Sequence, residues 1–317
     1  MKAIIYSIAL LTLLSCSSEM VEIPEPSLEW QQGRNDFEMV VDDISRHVAV
    51  HVPTSYDEST RVPVVFMLHG SGGSGNGFYN TSKWVEKSEE IGFIAVFPTA
   101  LKYELSDGTT STKWSSGSLI DQVVDGTQII DDIPFIKQIV SEVKTNFLVN
   151  ESRFYISGFS NGGGFVKSSV IQQMTDVFAA ANTTGGVGIP EVFPILGERI
   201  MPLFNIAGSQ DPKIFENIGS NQELPLAAHE IEAHDFLWTQ LTTMCEILEL
   251  NPEYEVFPNE PLWNEMVFTK ANSDRSCPEY RFMMVKGMTH VYPHGSNNPN
   301  NLIAADILWP WFEQWTL

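Results

Sequence analysis

Three residues carry the types and order that nucleophilic acyl chemistry needs: Ser160, Asp211 and His290. Ser160 stands in Gly158-Phe159-Ser160-Asn161-Gly162, a Gly-x-Ser-x-Gly pattern. A serine hydroxyl is a weak nucleophile until a base takes its proton, and the base needs a third group to hold it in the right tautomer. The glycines let the chain turn so sharply after a strand that the hydroxyl projects from its top. The helix that follows points its first amides back at the serine, where an oxyanion would form. A glycine-rich turn bearing a solvated serine would show the same five letters. Tyr155 and Ile156 before the pattern and a helix-compatible run after it favour the nucleophile. Asp211 lies in Gly208-Ser209-Gln210-Asp211-Pro212, where a turn-initiating Asp-Pro is the competing reading. His290 lies in Gly287-Met288-Thr289-His290-Val291-Tyr292-Pro293. The rivals are weaker: Ser157 sits inside the strand, and His294 lies beyond Pro293, away from a strand end.

A second loop fits the same chemistry. Residues 63–68 form a continuous apolar run that leads into His69-Gly70-Ser71-Gly72-Gly73-Ser74-Gly75. The loop lacks the Gly-Lys-Ser/Thr ending of a phosphate loop. It reads better as half of an oxyanion hole, with the Ser71 and Asn161 backbone N–H groups as donors and His69 shaping the loop.

Positioning these groups requires strands that end at each of them. The alternation over 45–52 predicts a strand ended by Pro53, and 91–98 predicts another. Residues 99–119 read as a polar loop around Trp114, which either lines a cleft or plugs the loop. Asp131-Asp132 precede an apolar stripe at Ile133, Ile136, Val140, Val143 and Phe147, a helix with Pro134 in its first turn. The elbow strand, a helix over 161–174, a short strand at 179–181 and strands at 202–208 and 281–285 follow, with a closing helix from 303. Strands alternating with helices imply an α/β domain with a mostly parallel sheet flanked by helices. Ser160, Asp211 and His290 each follow a strand, in the chain order of α/β-hydrolases rather than of chymotrypsin or subtilisin. Residues 213–279, between the acid and the base, show no clear pattern and read as a lid-like insertion. Its Trp238, Phe257 and Trp263 either wall the site or pack a satellite core.

The 317 residues, 43% hydrophobic, suffice for a large core, and the formal charge of −22 disfavours nucleic acid and anionic membrane surfaces as partners. Residues 1–15 read as an export signal, and Leu13-Leu14-Ser15-Cys16 matches a bacterial lipobox, with Cys16 lipidated. An ordinary signal peptide with an incidental cysteine is the alternative. Residues 16–38 would then be a tether and 39–317 the catalytic domain. Membrane contact is expected through that anchor only, in the cell envelope or, without it, by secretion. In an oxidising compartment the remaining Cys245 and Cys277 suggest a disulfide, with two buried thiols as the alternative.

The chain resembles the polyhydroxybutyrate depolymerase and feruloyl esterase family of secreted α/β-hydrolases over most of 40–317. The resemblance rests on Arg46–Pro53, Leu68-His69-Gly70, Asp131–Ile136, Ser157–Gly163, Gly208–Pro212 and Gly287–Pro293. Ser71 stands where the family often has cysteine, Tyr292 where it has tryptophan, and Met288-Thr289 where it has two glycines. The resemblance implies a serine ester hydrolase acting on short-chain or aryl esters of acetyl, feruloyl or hydroxybutyrate type, with no metal or organic cofactor. Trp114, Trp238, Trp263 and Tyr292 are the candidate substrate contacts. A serine peptidase could use the same three residues, and a non-catalytic glycan-binding surface protein could keep the same fold.

Overall fold

A computed structural model describes residues 30–186, 188–259, 261–270 and 278–317. Cys16 and Cys277 lie outside the described residues, as do the lipobox and the leader. The compact unit is Gln31–Leu317.

The elements follow in the order β1 (Gly33–Val41), β2 (Ile44–Val52), β3 (Val62–Leu68), α1 (Gly75–Thr81), α2 (Trp84–Ile91), β4 (Ile94–Pro98), β5 (Leu101–Glu104), β6 (Thr110–Lys113), α3 (Ile133–Asn146) and β7 (Val149–Phe159). Next come α4 (Asn161–Phe165), a π-helical turn (Val166–Val170) and α5 (Ile171–Gln173), which form one run behind the elbow. The chain closes with β8 (Ala180–Thr184), β9 (Leu203–Gly208), α6 (Pro212–Ile218), α7 (Ala228–Glu232), α8 (Asp235–Ile247), β10 (Tyr254–Asn259), β11 (Trp263–Phe268), β12 (Tyr280–Val285) and α9 (Ala304–Phe312).

Ten strands form one sheet in the order β1-β2-β4-β3-β7-β8-β9-β12-β11-β10. The pairs from β4 through β12 are parallel, and the two outer pairs on each side that involve β1, β2, β10 and β11 are antiparallel. The central strands β4, β8 and β9, with most of β3 and the second half of β7, are buried on both faces, because helices cover both sides of a parallel sheet. This is the expected α/β-hydrolase architecture. Its strand ends, gathered at one edge, carry the loops after β3, β7, β9 and β12.

Three expectations change. The tether was expected to reach residue 38, yet Gly33–Val41 pairs with β2 in a nine-residue antiparallel register. Only Phe37 and Met39 of β1 are buried, so its polar composition hides a strand held by backbone hydrogen bonds. The described residues of 213–279 form α6, α7, α8, β10 and β11, and the two strands extend the main sheet past β12. Its strands β10 and β11 build the sheet's edge, while its first helix, α6, brings Lys213 and Glu216 to the cleft at Ser160. Likewise the polar loop over 99–119 contains the β5–β6 hairpin.

Aromatic packing ties the closing helix to the first half of the chain. Trp309 stacks on Phe93 with centroids 4.7 Å apart, and Phe312 stacks on Tyr155 at 5.0 Å. Stacked and edge-to-face pairs of this kind add about 0.5–1.5 kcal/mol each beyond their burial.

Candidate active site

The elbow is built by close backbone approach. A Cβ on Gly158 would lie 2.4 Å from the Gly162 carbonyl oxygen, and one on Gly162 would lie 2.5 Å from that of His69. Only glycine lets β7, α4 and the β3 loop meet this closely. Ser160 sits between them at φ 52 and ψ −117, a conformation that costs an L-residue roughly 1–3 kcal/mol. Its N–H donates to Thr184 O at 2.8 Å, and its carbonyl accepts from Gly164 N at 2.8 Å, so the strained turn is held from both sides.

The loops after β9 and β12 bring the other two residues to it. His290 Nε2 lies 2.8 Å from Ser160 Oγ, and His290 Nδ1 lies 2.8 Å from Asp211 Oδ2 and 3.0 Å from Oδ1. Asp211 is 1% exposed, and it also accepts from Lys213 N at 2.8 Å as the N-cap of α6. The carboxylate next to Nδ1 favours the tautomer with its proton there, which leaves Nε2 as the acceptor facing the serine. Gly185 and Phe159 flank the imidazole, the latter with ring centroids 5.2 Å apart. His294 takes no part: its N–H donates to Asn297 Oδ1, and the residue bridges to Ile303. Ser157 is fully buried and donates to Asn182 Oδ1.

Ser71 and Asn161 both line the cleft at Ser160, which has a volume of about 600 Å³. Asn161 opens α4, and the first N–H of a helix has no intrahelical acceptor. Its side chain is engaged elsewhere, accepting from Trp114 N at 2.7 Å and donating to Ser116 Oγ at 3.0 Å. The glycine loop is pinned by the β5–β6 hairpin, where Gly72 N donates to Thr112 O at 2.9 Å. His69 shapes the loop as expected. Its Nε2 accepts from Ala100 N, so its Nδ1–H donates to Gly70 O at 2.7 Å. Burial pushes its pKa down to about 4, which keeps it neutral.

The four aromatic candidates do not line this cleft. Trp114 is fully buried, stacks on Phe165 and donates its indole N–H to His69 O at 2.9 Å, so it plugs the loop. Tyr292 is 5% exposed; its hydroxyl accepts from Trp84 Nε1 at 2.6 Å and sits 3.2 Å from Ser157 Oγ. Trp238 packs with Tyr254 and Phe268, and Trp263 leans on the main core while bonding Glu265. Phe257, on the same segment, is 49% exposed and also outside the cleft. An aromatic is as useful to a core as to a pocket, and composition does not distinguish the two. The lining instead includes Lys113, Gln122, Phe159, Lys213 and Glu216, none singled out by sequence. Phe159, inside the Gly-x-Ser-x-Gly pattern, and Lys213, two residues past Asp211, stood near a recognisable signal.

Cys245 is buried on α8 with no disulfide partner among the described residues, and burial pushes the pKa of its thiol up to about 12. The pairing expected with Cys277 falls outside the described residues.

Comparison with known proteins adds a family. The model of the phospholipase/carboxylesterase family matches residues 52–234, a span that holds Ser160 and Asp211 but ends before His290. The chain is 26% identical over 167 residues to a bifunctional acetylxylan esterase/xylanase of Neocallimastix patriciarum, covering 52% of this chain and 21% of that protein. It is 25% identical over 187 residues to feruloyl esterase B of Piromyces equi, covering 56% and 31%. The chain thus spans less than a third of the length of either relative. Among solved structures, an acetyl xylan esterase from Aspergillus awamori superposes with a TM-score of 0.56 at 14% identity, over 85% of this chain and 94% of that one. A poly(3-hydroxybutyrate) depolymerase from Bordetella parapertussis gives 0.51 at 15% identity, over 89% and 91%. These two structures share the fold.

Proposed function

The chain belongs to the phospholipase/carboxylesterase family, and from that premise we propose that it hydrolyses carboxylic esters with Ser160 as nucleophile, His290 as base and Asp211 as the acid that orients the base. The observation that carries this reading is the continuous contact Asp211–His290–Ser160, at 2.8 Å on both sides of the imidazole. As Ser160 Oγ attacks the ester carbonyl, its proton passes to His290 Nε2. Asp211 stabilises the imidazolium without taking the proton. The carbonyl oxygen becomes an oxyanion facing the Ser71 and Asn161 N–H groups, each such donor being worth roughly 3 kcal/mol in the transition state. The imidazolium then protonates the leaving alcohol. The acyl-enzyme is cleared by water, activated by the same histidine, which regenerates the serine.

Short-chain and aryl esters are the proposed substrates. The relatives are named for acetylxylan and feruloyl esters, and the cleft is polar-lined, with Phe159 as its one aromatic among the described residues. The reading includes anchoring at Cys16 in the bacterial envelope, supported by the lipobox spacing. Among the described residues no helix is long and apolar enough to cross a membrane. Cys16→Ser should move the protein out of the envelope fraction, and unchanged fractionation would refute the anchor.

The decisive experiment is Ser160→Ala assayed on 4-nitrophenyl acetate and methyl ferulate. We expect a loss of at least about 10³-fold in kcat with an unchanged circular dichroism spectrum. Activity near that of the wild type would assign the nucleophile elsewhere.

A further inference from the structure

Lys113, the last residue of β6, lines the cleft that holds Ser160. It is 8% exposed. Its ammonium donates to Ser71 Oγ at 3.1 Å and to Gln122 Oε1 at 2.5 Å, both neutral oxygens. An ammonium has three N–H donors, so one remains. Among the described residues no carboxylate pairs with it. A cation withdrawn from water without a counter-charge is costly, and an anion brought to it removes that cost.

The surrounding charges sharpen the point. The chain has 40 acidic residues against 18 basic ones, so a buried cation in ion-pair contact with no carboxylate among the described residues stands out. Lys213, the other lysine of the cleft, is already matched by Glu216 at 2.8 Å. Burial lowers the affinity of Lys113 for its proton, Asp107 partly restores it, and Lys213 lowers it again. Lys213 therefore disfavours the Lys113 cation, and an anion seated on Lys113 would offset that repulsion, whereas Lys213 is itself already paired with Glu216 in the same cleft. The link to Ser71 puts the ammonium one side chain away from an expected oxyanion donor, within reach of a short substrate.

We infer that the site prefers esters that carry a carboxylate on the acyl or alcohol half, seated on the Lys113 ammonium. This deepens, and rests on, the esterase reading above. The neutral acceptors Ser71 and Gln122 hold the ammonium in place, and the substrate carboxylate completes its shell with a charge-assisted hydrogen bond. Lys113 is then a specificity residue and takes no part in bond cleavage.

The test compares kcat/KM for two pairs: 4-nitrophenyl hemiglutarate with its methyl ester, and 4-acetoxybenzoate with its methyl ester. The wild type should favour the acid of at least one pair by about tenfold or more, the scale of one charge-assisted bond. Lys113→Met should bring that ratio close to one, and Lys113→Arg should keep part of it. A measurement on the unmutated enzyme stands beside these in case the Met variant folds poorly. Glutarate should inhibit hydrolysis of the neutral esters competitively, and glutaramide should do so at least about tenfold less well. A wild type that favours neither acid, a ratio unchanged in a folded Lys113→Met variant, or equal inhibition by glutarate and glutaramide would overturn the inference. Failure of the esterase reading looks different: none of the four esters is turned over, or turnover survives Ser160→Ala. Either of those results takes this inference down with it.

Discussion

Asp132→Ala removes a fully buried carboxylate that ties three segments together. Its Oδ1 takes the Arg46 guanidinium of β2 at 2.5 Å, and its Oδ2 accepts from Ser115 N at 2.6 Å. Arg46 is itself 4% exposed and lies 3.6 Å from the centre of the Phe135 ring. Without Asp132 the guanidinium keeps that ring and weak bonds to Thr99 O, but no counter-charge. Breaking a buried pair from one side costs about 3–5 kcal/mol, far above the roughly 0–1 kcal/mol of an exposed pair. The melting temperature should drop on the order of 10 °C. The same loop reaches the site, because Trp114 N donates to Asn161 Oδ1 and Ser115 is its neighbour. Esterase activity should therefore fall before global unfolding. Urea titration followed by tryptophan fluorescence gives the free energy. Arg46→Met combined with Asp132→Leu should recover most of the loss, since an apolar pair leaves no buried charge behind. A loss under about 1 kcal/mol for the single variant, or a double variant as unstable as the single, would refute the argument.

Other perturbations have definite outcomes. His69 has a folded-state pKa of about 4 against an ordinary 6.5, so on acidification the unfolded chain takes up the proton first. Its contribution, about 3 kcal/mol, is present above pH 6.5 and lost as pH falls towards 4. Urea midpoints across that window should show the slope, and His69→Gln should flatten its share; an unchanged slope would refute the assignment. Tyr292→Phe leaves the buried Trp84 N–H without its acceptor, a cost of about 1–3 kcal/mol in urea titration; a change within error would mean that water replaces the hydroxyl. The Cys245 thiol should resist iodoacetamide in the folded protein and be alkylated in denaturant without reductant. Protection that persists in denaturant would reveal a disulfide.

The readable parts of this chain were those whose cause is local. A nucleophile turn needs glycine where backbones touch, so Gly158 and Gly162 announced it at fixed spacing. The runs at β3 and β4 are apolar throughout because both faces of a central parallel strand are covered. The candidates Asp211 and His290 stood at strand ends in a known order, and the fold brings them together beside Ser160. Even the role of His69 could be read, since its neighbours are glycines and a strand end.

What tertiary structure decided depends on partners far along the chain. β1 has only Phe37 and Met39 buried, and its place beside β2 comes from backbone hydrogen bonds that carry no side-chain signature. β10 and β11 became strands of the main sheet because the edge of β12 was open to pairing. Trp114 and Tyr292 wholly, and Trp238 and Trp263 in part, went into packing because a large ring gains from close surroundings, and the sequence holds no record of which cavity closes around it. Lys113 is the opposite case. In the sequence it is one lysine in a polar stretch; only the fold of the β5–β6 hairpin onto the glycine loop turns it into a buried cation beside Ser71.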